Sequence, residues 1–242
     1  MKALVFAAGL GTRLRPLTDN MPKALVKVAG VPMLERVIKK IQAAGINEFV
    51  VNTYHFHEQI EDFLKENSGF GADVAVSYES EGPLETGGGI RKAGELLSGG
   101  PFLVHNADIL SDVDLKWFLS EVRPGSLATL LVREAVSDRY LLFDGEMRLV
   151  GWTNLRTGEV KSPYPDFDPS AYRRMAFCGI HVISDEIFPL MASWPEKFSI
   201  TDFYLSVCAS FRITGVEAKG IRLIDIGSPE KLSEAQDFYL TR

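Results

Sequence analysis

Between Ala3 and His105, four short apolar runs alternate with segments of helical spacing, and this alternation restricts the fold more than any other feature. The runs cover residues 3–7, 49–52, 74–78 and 102–105. The run 3–7 suits a strand buried on both faces, and 74–78 alternates in the manner of a strand. Residues 33–44 place Leu34, Val37, Ile38 and Ile41 on one helical face, and Gly45 stops the pattern. Ile60, Phe63 and Leu64 mark a second amphipathic helix. Residues 90–97 mark a third, closed by Gly99 and Gly100. Such a strand–helix order predicts an α/β fold, with a mostly parallel sheet covered by helices on both faces. Ligands of such sheets bind beyond the carboxyl ends of the strands, so the loops that follow each run are where chemistry is expected.

The second half is less regular. Residues 128–132 and 176–183 read as strands. Residues 140–143 and 147–152 flank Asp144-Gly145-Glu146 in a hairpin pattern. The polar stretch 156–174, with Pro163, Pro165 and Pro169, reads as a long loop and a candidate substrate lid. A helix over 201–211, short strands at Val216 and 222–226, and a helix over 229–239 complete the pattern, with Pro229 suited to a first turn. The chain shows no internal repeat, low-complexity tract or linker, so a single domain spanning 1–242 is expected.

The net charge of −6 provides no broad basic field for a nucleic-acid backbone, so no nucleic-acid partner is expected. A few local cations and backbone N–H groups can still bind a phosphorylated small molecule. The two cysteines, Cys178 and Cys208, have neither metal-ligand spacing nor a disulfide framework, and reduced thiols in a cytoplasmic protein are the expectation. The N-terminal apolar run is too short for a signal-peptide core. No stretch approaches the roughly 18 apolar residues of a membrane span, so no membrane partner is expected.

The loop after the first run is Ala7-Ala8-Gly9-Leu10-Gly11-Thr12-Arg13-Leu14-Arg15-Pro16-Leu17-Thr18, followed by Pro22-Lys23. Gly9 and Gly11 allow the backbone to approach a ligand and turn its N–H groups inward, a nest for phosphate oxygens. Arg13 adds a forked donor and Lys23 a compact cation. Two other phosphate loops fail on spacing. A dinucleotide fingerprint needs a third glycine where Leu14 stands, and Pro16 and Pro22 hold the segment open where a helix should start. A Walker-type loop needs four residues between its glycines and then Lys-Ser/Thr.

On these residues the chain resembles the sugar-1-phosphate nucleotidyltransferase family, whose leading motif is similar to G-x-G-x-R-x-x-P-x-T followed by P-K. The resemblance implies a Rossmann-like, mostly parallel but mixed central sheet flanked by helices, of the nucleotide-diphospho-sugar transferase type. It implies a nucleotide-binding half over about 1–110 and a sugar-binding half over about 111–242. It assigns the nucleotide triphosphate to Ala8, Gly9, Gly11, Thr12, Arg13 and Lys23, with Arg13 and Lys23 acting on the reacting phosphates. Arg15 holds a more variable position and is left out.

The loop Gly82-Pro83-Leu84-Glu85-Thr86-Gly87-Gly88-Gly89 is expected to expose its backbone as a flat surface for a base, with free N–H groups at a helix start. The resemblance places the nucleobase here, at Glu85, Thr86 and Gly87. The wording Leu-Glu-Thr-Gly-Gly-Gly is closest to uridylyltransferases that act on N-acetylmuramate 1-phosphate in cell-wall recycling.

Asp108 follows one apolar run, and Asp225 stands at the end of another. Such ends can converge in a parallel-type sheet, and a carboxylate there can hold Mg²⁺ beside phosphates. The family likeness supports that pairing as the metal site and makes Asp108 catalytic, although Ala107 replaces a common glycine. Asn106 is a nucleotide-binding candidate. Phe177-Cys178-Gly179-Ile180 resembles a segment that meets the sugar, but Gly179 reads equally well as a strand bulge. Asn154 and Glu159 are further sugar candidates. His55, His57, His105 and His181 lack zinc spacing and are expected at the surface or core edge. Asp112 and Asp114 are expected to cap a helix or be solvated.

The implied reaction is attack by a sugar-1-phosphate oxygen on the α-phosphorus of a nucleoside triphosphate, with release of pyrophosphate. Alternative acceptors are mannose 1-phosphate, with guanylyl transfer, and phosphocholine, with cytidylyl transfer. A non-catalytic nucleotide-sugar sensor is the reading from another class. No hexapeptide-repeat segment accompanies the domain, so a second activity is not expected.

Overall fold

The structure is a computed structural model that describes residues 1–240, with side chains described to Phe238. In chain order its elements are β1 (Lys2–Phe6), β2 (Lys27–Val28), β3 (Val31–Pro32), α1 (Met33–Ala43), β4 (Glu48–Thr53), α2 (His57–Glu66), β5 (Asp73–Tyr78), α3 (Glu85–Lys92), α4 (Gly94–Leu97), β6 (Phe102–Asn106), β7 (Ile109–Ser111) and α5 (Leu115–Ser120). They continue with β8 (Ala128–Arg133), β9 (Arg139–Phe143), β10 (Leu149–Asn154), β11 (Glu159–Lys161), β12 (Arg173–Ile183), α6 (Ile187–Met191), α7 (Ile200–Val207), β13 (Ile213–Glu217), β14 (Leu223–Asp225) and α8 (Pro229–Leu240).

The main sheet runs β11-β10-β9-β12-β6-β1-β4-β5, with β8 and β13 continuing from β12. β6, β1, β4 and β5 are parallel. β12 runs antiparallel to β6, β8 and β9, and so joins the two halves into one mixed sheet. The expected α/β architecture is therefore present, with its antiparallel part confined to the second half. β1 shows why both faces are covered. Leu4 points into one apolar cluster with α3, α4, α6 and α7, whereas Ala3 and Val5 point into another with α1, α2 and α5. On α1, Leu34, Val37, Ile38 and Ile41 are essentially inaccessible to solvent, each burial contributing about 1.5–3 kcal/mol.

A third cluster ties distant segments together. Leu14 of the first loop, Val28 of the β2–β3 hairpin, Leu110 of β7, Ile224 of β14, and Ala235 and Phe238 of α8 pack on one another.

The structure corrects several sequence expectations. α3 begins at Glu85, so the three glycines form its first turns, where the sequence suggested an open loop. The pattern over 90–97 divides into α3 and α4. The stretch 156–174 is not a single loop. It contains β11, a 3₁₀ turn over Pro169–Ala171 and the start of β12. Its strand was hidden because all three β11 residues are exposed and carry no apolar alternation. His105 and His181 are wholly buried, deeper than the core edge. Asp114 does cap α5, accepting from the N–H groups of Lys116 and Trp117.

Candidate active site

The first loop leaves β1 at the carboxyl edge of the sheet. Gly11 has φ +65°, and a Cβ there would lie 2.9 Å from Thr18 Cγ2. Both facts exclude a side chain. The loop is closed by the buried Thr18 hydroxyl, which donates to the Gly11 carbonyl at 2.8 Å. Leu14 anchors the loop in the third cluster, leaving Arg13 free to reach Gly227. A Cβ on Gly227 would stand 2.9 Å from a guanidinium nitrogen of Arg13, so glycine makes room for that side chain.

Lys23 follows Pro22 at the start of a 3₁₀ turn. Its Nζ donates to Asp108 Oδ2 and lies 3.5 Å from Asp225 Oδ1. The two aspartates therefore meet, but not as the ends of parallel strands. β7 and β14 form a separate antiparallel ribbon in which Asp225 pairs with Ile109. The carboxyl of Asp225 is held above its ordinary range, first by partial burial and then by the neighbouring charge of Asp108, against the pull of Lys23 and Arg13.

Arg13, Lys23, Asp108 and Gly227 line a cleft of about 440 Å³ that also takes in Ala8, Gly9, Thr12, Glu85, Thr86 and Asn106. Gly87 is not part of it. The N–H of Gly87 is bonded to the Phe198 carbonyl at 2.9 Å, and a Cβ would overlap the Phe198 ring. A Cβ on Gly88 would overlap the Glu196 carbonyl, and one on Gly89 would lie 2.8 Å from Glu79 Oε1. The triple glycine is thus a packing device, in which Gly87 and Gly88 seat α3 on the 196–198 segment and Gly89 seats it on Glu79 and Phe6, in place of the flat base platform expected from sequence. The Thr86 hydroxyl accepts from the Ile200 N–H at 3.0 Å and couples this corner to α7.

Two cleft residues escaped the sequence reading. Asn52 ends the apolar part of β4, and Glu79 follows β5; both are buried. Glu79 Oε1 accepts from Asn52 Nδ2 at 2.7 Å, and its Oε2 accepts from the Leu84 N–H at 2.8 Å. The pair pins the 79–84 loop. Asn52 Oδ1 is buried with no partner among the described residues, and polar atoms in that state call for an explanation. The signal available was their place at the carboxyl ends of parallel strands.

Gly179 lies at φ +69°, where β12 shifts register against β8 between Phe177 and His181. It is a bulge. Its missing side chain leaves space for the Asn106 amide, since a Cβ would come within 2.8 Å of Nδ2. Asn154 and Glu159 lie in a second cleft of about 750 Å³, which shares Glu85 with the first and has Asp225 in its lining. Asn154 is buried, and its Oδ1 accepts from the N–H of Arg156 at 3.0 Å and of Thr157 at 3.4 Å.

Among the described residues, no group of three or more His, Cys, Asp or Glu side chains forms a metal cage. Mg²⁺ is ordinarily held by one or two carboxylates plus substrate phosphates, and the Asp108–Asp225 pair fits that requirement. A glycine-turned loop, two cations, two converging carboxylates and adjoining clefts make a site with the charge and shape that phosphorylated ligands require.

The chain belongs to the nucleotidyl transferase family, whose model matches residues 2–138, and is an enzyme of that type. An N-acetylmuramate α-1-phosphate uridylyltransferase from Caulobacter vibrioides is 30% identical over 94% of this chain and 92% of its own length. One from Neisseria meningitidis serogroup B is 48% identical, over 47% of this chain and 49% of its own length, so that match spans about half of each protein. The structure of a UDP-glucose pyrophosphorylase complexed with UDP-glucose shares the fold. Its TM-score is 0.78 at 21% identity, covering 100% of this chain and 99% of that one. Among the described residues no helix is long and apolar enough to cross a membrane.

Proposed function

We propose that the chain joins UTP to N-acetylmuramate 1-phosphate, giving UDP-N-acetylmuramate and pyrophosphate, and that it requires Mg²⁺. The observation that carries this reading is the seating of Lys23 between Asp108 and Asp225 where two clefts meet. Likeness to two N-acetylmuramate α-1-phosphate uridylyltransferases supports the choice of base and acceptor.

In this mechanism the first loop and Arg13 receive the triphosphate in the smaller cleft. The sugar lies in the larger one, with its phosphate directed toward Lys23. A phosphate monoester has a second pKa of about 6, so the attacking oxygen is already ionised near neutral pH and needs no general base. That oxygen bonds to the α-phosphorus, the α–β bridging bond breaks, and its electron pair leaves with pyrophosphate. The residues must align two anions and offset their repulsion, which Lys23 and Arg13 do by position and charge. Asp108 and Asp225 would hold Mg²⁺, which supplies further neutralisation of the phosphates. Glu79 and Asn52 hold the loop on which the base rests. A cytoplasmic setting goes with this reading, since both substrates are cytoplasmic metabolites.

The test is pyrophosphate release with Mg²⁺, measured over a panel of the four nucleoside triphosphates against the 1-phosphates of N-acetylmuramate, N-acetylglucosamine, glucose and mannose, and against phosphocholine. UTP with the muramate ester should exceed the other pairs. Preference for GTP with mannose 1-phosphate, or CTP with phosphocholine, replaces the substrate reading. No release with any pair removes it.

A further inference from the structure

The larger cleft has a floor whose side chains follow from strand register. Arg139 of β9 pairs with Asn154 of β10, which pairs with Glu159 of β11. The next row on the same face is Leu141, Trp152 and Lys161. Residues directly opposite across a sheet share a face, and all six line the cleft.

The polar members of these rows are not equally available. Asn154 Oδ1 is occupied by its own turn. Lys161 lies over the Trp152 ring, 2.9 Å from Asp202 and 3.6 Å from Glu159. The bonded Asp202 carboxylate holds the Lys161 ammonium above its ordinary range. Its charge is therefore already balanced. Arg139 is different. Only its backbone is engaged, with its N–H donating to the Ser137 hydroxyl at 3.2 Å and its carbonyl accepting from that hydroxyl at 3.0 Å. Its guanidinium has no hydrogen-bond or ion-pair partner among the described residues.

Glu85, Glu159, Asp202 and Asp225 also line this cleft, and it must still admit a phosphorylated sugar. The reacting phosphate is provided for at Lys23, which lines the smaller cleft and lies 3.5 Å from Asp225 of the larger one. Arg139 stands on the β9–β10 floor as a second cation with no assigned anion. We infer that Arg139 is a specificity-determining residue that receives a second negative group on the acceptor, a carboxylate remote from the reacting phosphate. A guanidinium fork matches a carboxylate through two parallel hydrogen bonds, which an ammonium cannot reproduce. The acceptor class is then an acidic sugar 1-phosphate. This inference rests on the muramate reading above, because the lactyl ether of N-acetylmuramate supplies such a carboxylate.

N-acetylglucosamine 1-phosphate is the same acceptor without the lactyl group, so the pair isolates the carboxylate. The experiment measures kcat/KM for both esters with UTP and Mg²⁺, in the wild type and in Arg139→Gln and Arg139→Lys. Arg139→Gln should lower kcat/KM for the muramate ester by about 10- to 100-fold, mainly through KM, and change that for the glucosamine ester by less than about twofold. Arg139→Lys should recover only part of the loss. Equal losses on both esters, or a muramate preference that survives Arg139→Gln, overturns the role of Arg139 and leaves the substrate reading intact. A wild type without muramate preference overturns both.

Discussion

Ile226 donates its backbone N–H to the carbonyl of Asp108 at 3.0 Å. This single bond continues the β7–β14 ribbon by one residue and sets Asp225 beside Asp108, with Lys23 between them. The convergence is made by backbone pairing and does not depend on the charges that it brings together. A change at either carboxylate should therefore alter chemistry before it alters the fold.

Asp108→Asn tests that separation. The amide is nearly isosteric, but it loses the charge that faces Lys23 and would hold Mg²⁺. Pyrophosphate release should fall by about 100-fold or more, the scale of losing one principal electrostatic group. The denaturation midpoint should move little. Unchanged turnover would refute the metal assignment.

Gly88→Ala addresses the triple glycine. The new methyl would meet the backbone carbonyl of Glu196, which cannot rotate away as a side chain would. Overpacking of this kind costs about 1–3 kcal/mol, to be read from urea denaturation. An open loop would tolerate the same change, so retained stability would refute the packing role. The KM for UTP should rise as well, because Glu85 and Thr86 begin the same helix.

Glu79→Gln replaces one acceptor oxygen by an amide donor. Both carboxylate oxygens now accept, from Asn52 Nδ2 and the Leu84 N–H, so one of them must then face a donor. A stability loss of about 1–3 kcal/mol is expected. A weaker affinity for UTP should accompany it, measured by calorimetry without the acceptor. An unchanged affinity would remove Glu79 from the nucleotide site.

Acid should destabilise the protein through two buried histidines. Burial lowers His181 from 6.5 to about 3 and His105 to about 4. The unfolded chain therefore binds more protons than the folded one between pH 6.5 and those values, so stability falls as pH falls through that window. Each group contributes at most about 1.4 kcal/mol per pH unit. His181 also meets the Tyr204 hydroxyl at 2.9 Å through Nδ1. His181→Gln keeps a polar partner there and removes the proton site. Its stability should vary less steeply between pH 6.5 and pH 4, and an unaltered slope would refute the assignment.

The parts of this site that were legible in the sequence are local ones. Gly9, Gly11, Arg13 and Lys23 lie within one loop, and their spacing alone separates them from other phosphate loops. Asp108 was legible because it follows a strongly apolar run. The parallel half of the sheet was legible because strands buried on both faces leave clear runs. Other features depended on partners far along the chain. The role of Gly87 and Gly88 is defined by residues 196–198, and nothing in a run of glycines reveals what lies against them. The β7–β14 ribbon is three residues deep, too short for a periodic signal. β11 has no apolar face at all. Asn52 and Glu79 are isolated polar residues near the ends of apolar runs, and only their strand-end location pointed to function.

The third apolar cluster has a consequence for the timing of activity. Ala235 and Phe238 of α8 pack with Leu14 of the phosphate loop and with Ile224 and Ile226, which flank Asp225. The Gln236 side chain bonds the backbone of the β2–β3 hairpin at Lys27 and Ala29. A segment made late thus braces a loop made early. Chains emerge from the ribosome N-terminus first. A nascent polypeptide can form its β1–β6 sheet early, yet its phosphate loop lacks this brace until β14 and α8 have followed, so competence waits on segments made long after the loop itself.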